Sequence, residues 1–314
     1  MTAQRPIPSG FGPHSTARDV LGDRRLDGTL AIVTGGYAGI GLETTRVLAA
    51  AGAEVIVPAR SLTKARAALA GVERVTVEEL DLADPASIEA FSARFLSTGR
   101  ALPLLINNAG IMAVPLSRDA RGFESHLATN HIGHFQLTTR LWPALERAHG
   151  ARVVVLSSRG HMRSAFNFED PHFEHRAYDK MVAYGQSKTA NVLFAVALDA
   201  RGQSAGIRAF AVHPGAILDT DLGRSMSPAE GAAVIERAAK LGGFKSIAEG
   251  AATTVWCATS PALDGKGGVY CEDADIAVAV PADHAGPDGV RPWAIDPESA
   301  ERLWTVTTAW IAGS

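Results

Sequence analysis

Tyr184 and Lys188 stand four residues apart in the run Tyr184-Gly185-Gln186-Ser187-Lys188. On a helix that spacing puts a phenol and an ammonium on one face. A phenol can deliver a proton to an oxygen that is gaining negative charge, and a neighbouring ammonium favours the phenolate left behind. Unaided, a tyrosine with a pKa of about 10 is a reluctant base for the reverse step. The apolar run before this pair ends in Ser157-Ser158, whose hydroxyls could orient and polarise a carbonyl. Far upstream lies Thr34-Gly35-Gly36-Tyr37-Ala38-Gly39-Ile40-Gly41. A glycine loop between a strand and a helix lets backbone N–H groups and the helix N-terminus approach a pyrophosphate, which side chains would block. No Lys-Ser/Thr pair follows these glycines, which disfavours a triphosphate-binding P-loop. A dinucleotide beside a proton donor suits hydride transfer to a carbonyl, because a proton must reach the oxygen as the hydride reaches the carbon.

The chain must position these groups by alternating short strands and helices. Leu30–Val33, Glu54–Val57, Val75–Leu80, Leu104–Ile106, Arg152–Leu156, Ile207–Val212 and Gly268–Cys271 read as strands. Leu42–Ala51, Ser61–Ala70, Pro85–Leu96, Gly122–Arg147, Met181–Ala200 and Ala248–Ala258 read as helices, with Ser61 and Asp84 as N-caps. Most of the strands are apolar throughout, which marks a parallel sheet covered on both faces. The rhythm predicts a doubly wound α/β fold, parallel sheet with helices on both faces. Residues 1–27 read as an N-terminal arm, 28–280 as one catalytic domain, and 281–314 as an extension ending in an amphipathic helix over Pro297–Ile311. Ala300, Leu303, Trp304, Thr307 and Ile311 share one face of that helix. Two stretches, the polar 159–180 and the Gly-rich, mostly helical 216–247, follow strand ends and are expected to shape the substrate pocket.

Composition narrows the classes further. The 314 residues carry 46% hydrophobic and 20% charged residues and a net charge of −3, so neither disorder nor a nucleic-acid partner is expected. No run is long enough to span a membrane and the start lacks a signal-peptide pattern, so the expectation is a cytoplasmic protein with no membrane partner. Cys257 and Cys271 have no metal or disulfide spacing and read as free thiols. His161, His172 and His175, with Glu169 and Asp170, match no zinc motif, so no metal is expected. The absence of a GxSxG elbow argues against a hydrolase.

The spacing Gly35-x3-Gly39-x-Gly41, followed in order by Asp81-Leu82, Asn107-Asn108-Ala109-Gly110, the Tyr184–Lys188 run and Pro214-Gly215, resembles the short-chain dehydrogenase/reductase (SDR) family over about Leu26 to Asp275. The wording of Asn130-His131-Ile132-Gly133-His134-Phe135 and His213-Pro214-Gly215 is most similar to the retinol-dehydrogenase and WW-domain-oxidoreductase branch. The resemblance implies a single Rossmann-type domain. It implies catalytic roles for Ser158, Tyr184, Lys188 and Asn130, with Lys188 also holding the nicotinamide ribose. It places Asp81 and Leu82 at the adenine, Asn108, Ala109 and Gly110 beside the ribose, and Pro214, Gly215 and Ile217 near the carboxamide. Gly35, Tyr37, Ala38, Gly39, Ile40 and Gly41 would form the loop around the pyrophosphate. Two departures stand out. Twenty-five residues separate Ser158 from Tyr184, a longer gap than usual, and Asp219 occupies the position where the family has Thr or Ser, with Thr220 one later.

An NAD enzyme places an acid at the end of the second strand, about 20 residues past the glycines, for the ribose 2′-OH. Here that segment is Val57-Pro58-Ala59-Arg60, and Arg60 suits a 2′-phosphate, so NADP(H) is expected over NAD(H). The expected activity is an NADP-dependent oxidoreductase of a fairly hydrophobic ketone, aldehyde or secondary alcohol. Reduction of an activated C=C bond is the alternative within enzymes, and a dinucleotide-binding sensor the alternative outside them. The family resemblance also implies a homodimer or homotetramer.

Overall fold

Alternate residues of each apolar run face opposite ways, and the structure shows what each face meets. The computed structural model describes residues 2–240 and 243–313, so 1, 241, 242 and 314, which fall within the predicted arm, second substrate segment and extension, lie outside the described residues. The strands are β1 (Leu30–Val33), β2 (Glu54–Ala59), β3 (Val75–Glu79), β4 (Leu104–Asn107), β5 (Arg152–Leu156), β6 (Arg208–His213), β7 (Val269–Glu272) and β8 (Asp275–Ile276). They form one sheet in the order β3-β2-β1-β4-β5-β6-β7-β8, parallel except for the antiparallel β7–β8 pair. The helices are α1 (Ala17–Leu21), α2 (Gly39–Ala50), α3 (Leu62–Ala68), α4 (Pro85–Ser97), α5 (Ser125–Leu127), α6 (Gly133–Arg140), α7 (Trp142–Glu146), α8 (Lys180–Gly202), α9 (Pro228–Lys240), α10 (Ile247–Gly250), α11 (Ala252–Thr259) and α12 (Pro297–Ala312).

Ala31, Val33, Leu104, Ile106, Val154, Leu156, Phe210 and Val212 point into a core shared with α1, α2 and α11. Their neighbours Leu30, Ile32, Leu105, Val153, Val155, Ala209 and Ala211 point into a second core shared with α4, α6, α7 and α8. This is the doubly wound sheet that the apolar strands predict. The strand order reverses between β1 and β4, and their C-terminal ends open the crevice where such sheets take ligands.

Two elements differ from the sequence expectation. The single helix expected over Gly122–Arg147 is broken. A π-helical turn spans Ala128–Ile132, and Pro143, which cannot donate a backbone hydrogen bond, restarts the helix as α7. Residues 1–27 pack more closely than an arm of low core propensity. Thr16 and Asp19 form a capping box on α1, whose Ala17, Val20 and Leu21 are buried against α11. Upstream, the Gln4 side chain donates to the Tyr270 and Ala277 carbonyls and accepts from the Tyr270 N–H.

α12 lies along α8. Ala300, Leu303 and Thr307 are buried, and Trp304 meets the Phe135 ring at 4.7 Å. Burying one leucine contributes roughly 1.5–3 kcal/mol, so α12 stabilises the outer face of the helix that carries Tyr184 and Lys188.

Candidate active site

A cavity of about 1200 Å3 runs across the C-terminal ends of the strands. One end is the glycine loop after β1. Gly35 and Gly39 have φ of +64° and +49°, a region that side-chain-bearing residues rarely adopt. At Gly41, a Cβ would sit 2.4 Å from both the Asn108 Nδ2 and the Gly35 carbonyl, so this glycine serves the loop's packing on β4. At Gly39 an added Cβ would meet only the Thr220 side chain, at 3.2 Å. Ala38 is the N-cap of α2 and offers no side-chain acceptor, which leaves the first backbone N–H groups of the helix without the usual cap. Uncapped donors over glycines fit a pyrophosphate.

Thr34 fixes the loop to β4. Its Oγ1 accepts the Asn108 and Ala109 N–H groups at 2.9 and 3.0 Å, and its hydroxyl contacts the His134 Nε2 at 2.8 Å. The other nitrogen of His134 donates to the Asn130 carbonyl at 3.0 Å. Burial holds His134 down at about 4, so this imidazole is neutral and can donate at one end and accept at the other.

Along the cofactor end, Tyr37, Ala38, Gly39, Ile40, Arg60, Asp81, Leu82, Asn108, Ala109 and Gly110 line the cavity. The side chains of Tyr37 and Ile40 are half-buried against the first core. Arg60 is exposed just past β2, and Lys64, on the first turn of α3, lines the cavity beside it. Lys64 adds a cation that a search for one residue at the strand end passes over; the signal was a basic residue four positions after Arg60.

The other named groups converge on α8, whose N-cap Asp179 accepts from the Met181 and Val182 N–H groups. Tyr184 and Lys188 are each 4% exposed and both line the cavity. The Lys188 Nζ lies 5.7 Å from the Tyr184 ring centroid and donates to the Leu156 carbonyl at 2.9 Å. The Ser158 hydroxyl bonds the Tyr184 phenol and also accepts the Gly160 N–H at 3.0 Å. Burial raises Tyr184 to about 12, with the Ser158 bond pulling it back, and burial lowers Lys188 to about 7. Ser157 also lines the cavity, but its hydroxyl is engaged, donating to the Lys188 carbonyl at 2.8 Å. Asn130 does not line the cavity. Its Oδ1 accepts the Ile111 N–H at 2.8 Å, and its amide donates to the Ile111 carbonyl and to Ser187. A Cβ on Gly110 would lie 3.2 Å from the Asn130 Oδ1 and 3.6 Å from the Lys188 Nζ, so these two groups flank one backbone position.

Pro214, Gly215 and Ile217 line the cavity after β6, where a short bridge pairs Ile217 with Lys245. Thr220 lines the wall beside Gly39, whereas Asp219 does not. His213 accepts the Arg159 and Gly215 N–H groups on its Nδ1.

Two features were not legible in the motifs. In the first, Glu124, fully buried, contacts the His126 Nδ1 at 2.8 Å and accepts from the Tyr178 hydroxyl at 3.0 Å. Burial pushes the Glu124 carboxyl up, but the His126 hydrogen bond and two backbone donors outweigh it and leave the carboxyl below its ordinary value. This cluster closes the 159–180 segment against the cavity wall. The second is the tail after β8, where His284, Ala285, Gly286, Pro287 and Arg291 line the cavity. Its signal was the Pro/Gly-rich start of the extension. His161, His172 and His175 separate, with His172 stacked on Phe123 and His175 exposed. No metal-holding group of three or more His, Cys, Asp or Glu occurs among the described residues. No helix among them is long and apolar enough to cross a membrane. Cys257 and Cys271 are free and buried.

Residues 29–231 match the family model for short chain dehydrogenase. A Streptomyces antibioticus protein described as a probable oxidoreductase is 44% identical over 297 residues, covering 90% of this chain and 97% of its own. Retinol dehydrogenase 12 of Mus musculus is 36% identical over 302 residues, covering 90% and 86%. Among solved structures, an uncharacterized protein from Mycobacterium paratuberculosis is 32% identical with a TM-score of 0.73, covering 95% of this chain and 98% of its own. The Pseudomonas aeruginosa RhlG/NADP active-site complex, 23% identical with a TM-score of 0.64 over 79% of this chain and 95% of its own, shares the fold.

Proposed function

This chain belongs to the short-chain dehydrogenase family of oxidoreductases, and on that premise we propose that it is an NADP(H)-dependent enzyme interconverting a fairly hydrophobic ketone or aldehyde and its alcohol. The observation that carries the reading is one cavity wall with Ser158, Tyr184 and Lys188 on it, continuous with the glycine loop. A bound NADP(H) would supply or accept the hydride. Residues 35–41 would hold its pyrophosphate and Arg60 with Lys64 its 2′-phosphate, while Asp81, Leu82, Asn108, Ala109, Gly110, Pro214, Gly215 and Ile217 would line the rest.

The chain's own groups do the proton chemistry. A phenol raised to about 12 keeps its proton at neutral pH, so the proton is in place for a carbonyl oxygen that becomes a more basic alkoxide. Ser158, bonded to the same phenol, is placed to polarise that oxygen. For oxidation the phenolate must form, and the Lys188 ammonium is the charge that favours it. Because burial lowers Lys188 to about 7, oxidation is most sensitive to conditions that keep this ammonium charged. Asn130 acts behind the wall, fixing Ile111 and Ser187, and Ser187 in turn donates to the Tyr184 carbonyl at 2.7 Å. A sensor needs none of this proton machinery, so the oxidoreductase reading is favoured over it. Cytoplasmic location and assembly as a homodimer or homotetramer complete the proposal.

The test is NADPH or NADH with a panel of aliphatic and aromatic ketones and aldehydes, followed at the nicotinamide absorbance. NADPH should be consumed with several apolar carbonyls and NADH more slowly. NADPH binding without consumption across the panel would favour the sensor, and consumption only with activated alkenes would favour C=C reduction.

A further inference from the structure

We propose that the substrate carries an oxyanion, a carboxylate or a phosphate, on an otherwise apolar body, and that Arg159 and Arg291 hold it. The inference rests on the carbonyl reading above and names the class of carbonyl compound. Both arginines line the cavity. Arg159 follows Ser158; its backbone N–H is bonded to His213, while its guanidinium has no hydrogen bond or ion pair with any described residue. Arg291 is 5% exposed. Its Nη2 donates to the His284 carbonyl, but its Nη1 is buried without a partner.

At Arg291 the cation is withdrawn from water with one nitrogen unpartnered, a costly arrangement that a ligand anion relieves, and the half-exposed Arg159 adds a second positive charge to the same cavity. Two neighbouring carboxyls could have served and do not. Glu272 accepts the Gly289 N–H at 2.7 Å, and burial pushes it up to about 7, so it is a weak source of negative charge. Asp288 pairs with His284 at 3.3 Å. No carboxylate among the described residues is within ion-pair distance of either guanidinium. The guanidinium fork suits carboxylate and phosphate oxygens in pairs. Apolar side chains from Met112, Val114, Met162 and Met181 also line the cavity.

The two arginines are also fixed relative to the reacting groups. His161, fully buried, donates from Nδ1 to the Ser158 carbonyl at 2.8 Å and accepts the Arg291 N–H on Nε2 at 3.2 Å. The Trp293 indole donates to the His161 carbonyl at 3.1 Å. One imidazole therefore joins the serine placed to polarise the carbonyl to the arginine placed to hold the anion. The oxyanion takes no part in the electron balance. The hydride goes to the carbonyl carbon, the Tyr184 proton goes to its oxygen, and the anionic group leaves unchanged on the product alcohol.

The test compares 9-oxodecanoate, its methyl ester and the matching phosphonate as substrates at saturating NADPH. The parent should favour the anions over the ester in kcat/KM on the order of tenfold or more, as expected for a charge-assisted pair. The better of the two anions tells carboxylic acids from phosphate-bearing compounds. In Arg291→Gln and Arg159→Gln the preference should fall toward one. If Arg291→Gln does not fold, the half-exposed Arg159 carries the comparison alone. Equal parent rates on acid and ester, equal losses on both in the variants, or a weakened NADPH affinity in place of a lost preference would each overturn the proposal. A binding arm separates this site from the reading it rests on. Decanoate, which has no reducible carbonyl, should bind the NADPH-loaded parent on the order of tenfold more tightly than either variant, read from nicotinamide fluorescence. Decanoate binding without carbonyl turnover would overturn the carbonyl reading and support the anion site. No decanoate binding alongside carbonyl turnover would overturn the anion site alone.

Discussion

The two ends of the cavity are built in different ways. At the cofactor end, the loops that follow β1 to β4 form the wall, and the shape around the glycine loop is set by backbone and glycine. Thr34 ties two of these loops together by hydrogen bonds to Asn108 and Ala109. At the substrate end, the wall is assembled by side chains from distant segments. His161 joins residue 158 to residue 291, and His213 joins residue 159 to the loop after β6. A backbone-built site tolerates almost no added volume, whereas a side-chain-built site fails when one buried polar partner is removed.

Acid should break this contrast most strongly. Burial lowers His131 to about 3, His134 and His161 to about 4, and His213 well below its ordinary value. Between their folded values and the unfolded 6.5, the unfolded chain binds more protons, so stability falls as pH drops through that window. His172 is lowered by burial as well, and Glu272, raised to about 7, works in the opposite sense between 4.5 and 7, but it is one group against five. Each net proton contributes about 1.4 kcal/mol per pH unit, so chemical denaturation at pH 7 and pH 5 should differ by several kcal/mol. A flat profile would mean that these imidazoles are not held neutral.

Gly41→Val tests the cofactor end. A Cβ 2.4 Å from two fixed groups must displace the loop, and NADPH affinity should fall on the order of 100-fold, measured by fluorescence titration. His161→Ala tests the substrate end. It removes the acceptor for Arg291 and the donor to Ser158, and should cost about 2–4 kcal/mol in unfolding free energy. Substrate KM should rise more than the NADPH Kd, and equal effects on both would erase the distinction between the two ends. Arg60→Asp is the smallest of these changes, because the side chain is exposed and screened. It should shift the NADPH-over-NADH preference in kcat/KM by about tenfold toward NADH.

The same contrast explains what the sequence reveals. The sheet, its order of elements and the glycine loop are legible because each rests on local pattern: apolar runs, caps and glycines beside strand ends. Arg60, Tyr184 and Lys188 are legible because their positions follow those elements. Glu124, His161 and Arg291 are not, because their roles come from contacts across the fold that no spacing encodes. The break after Asn130 was hidden for a related reason. A π turn adds no residue type that composition would flag, and this one carries Asn130, whose side chain bonds the Ile111 backbone across the loop. The docked N-terminus was missed because its capping box covers only five helical residues, too few for periodicity to register.

The proposed hydride-transfer function meets its most direct test in Tyr184→Phe, compared with the parent in NADPH-dependent reduction of the best carbonyl of the panel. The substitution removes one hydroxyl and keeps the ring. The variant should still bind NADPH, and kcat should fall by roughly 10²–10⁴-fold, the usual contribution of a positioned proton donor. Turnover at the parent rate would contradict the assignment of Tyr184 and, with it, the account of this cavity as a proton-coupled hydride-transfer site.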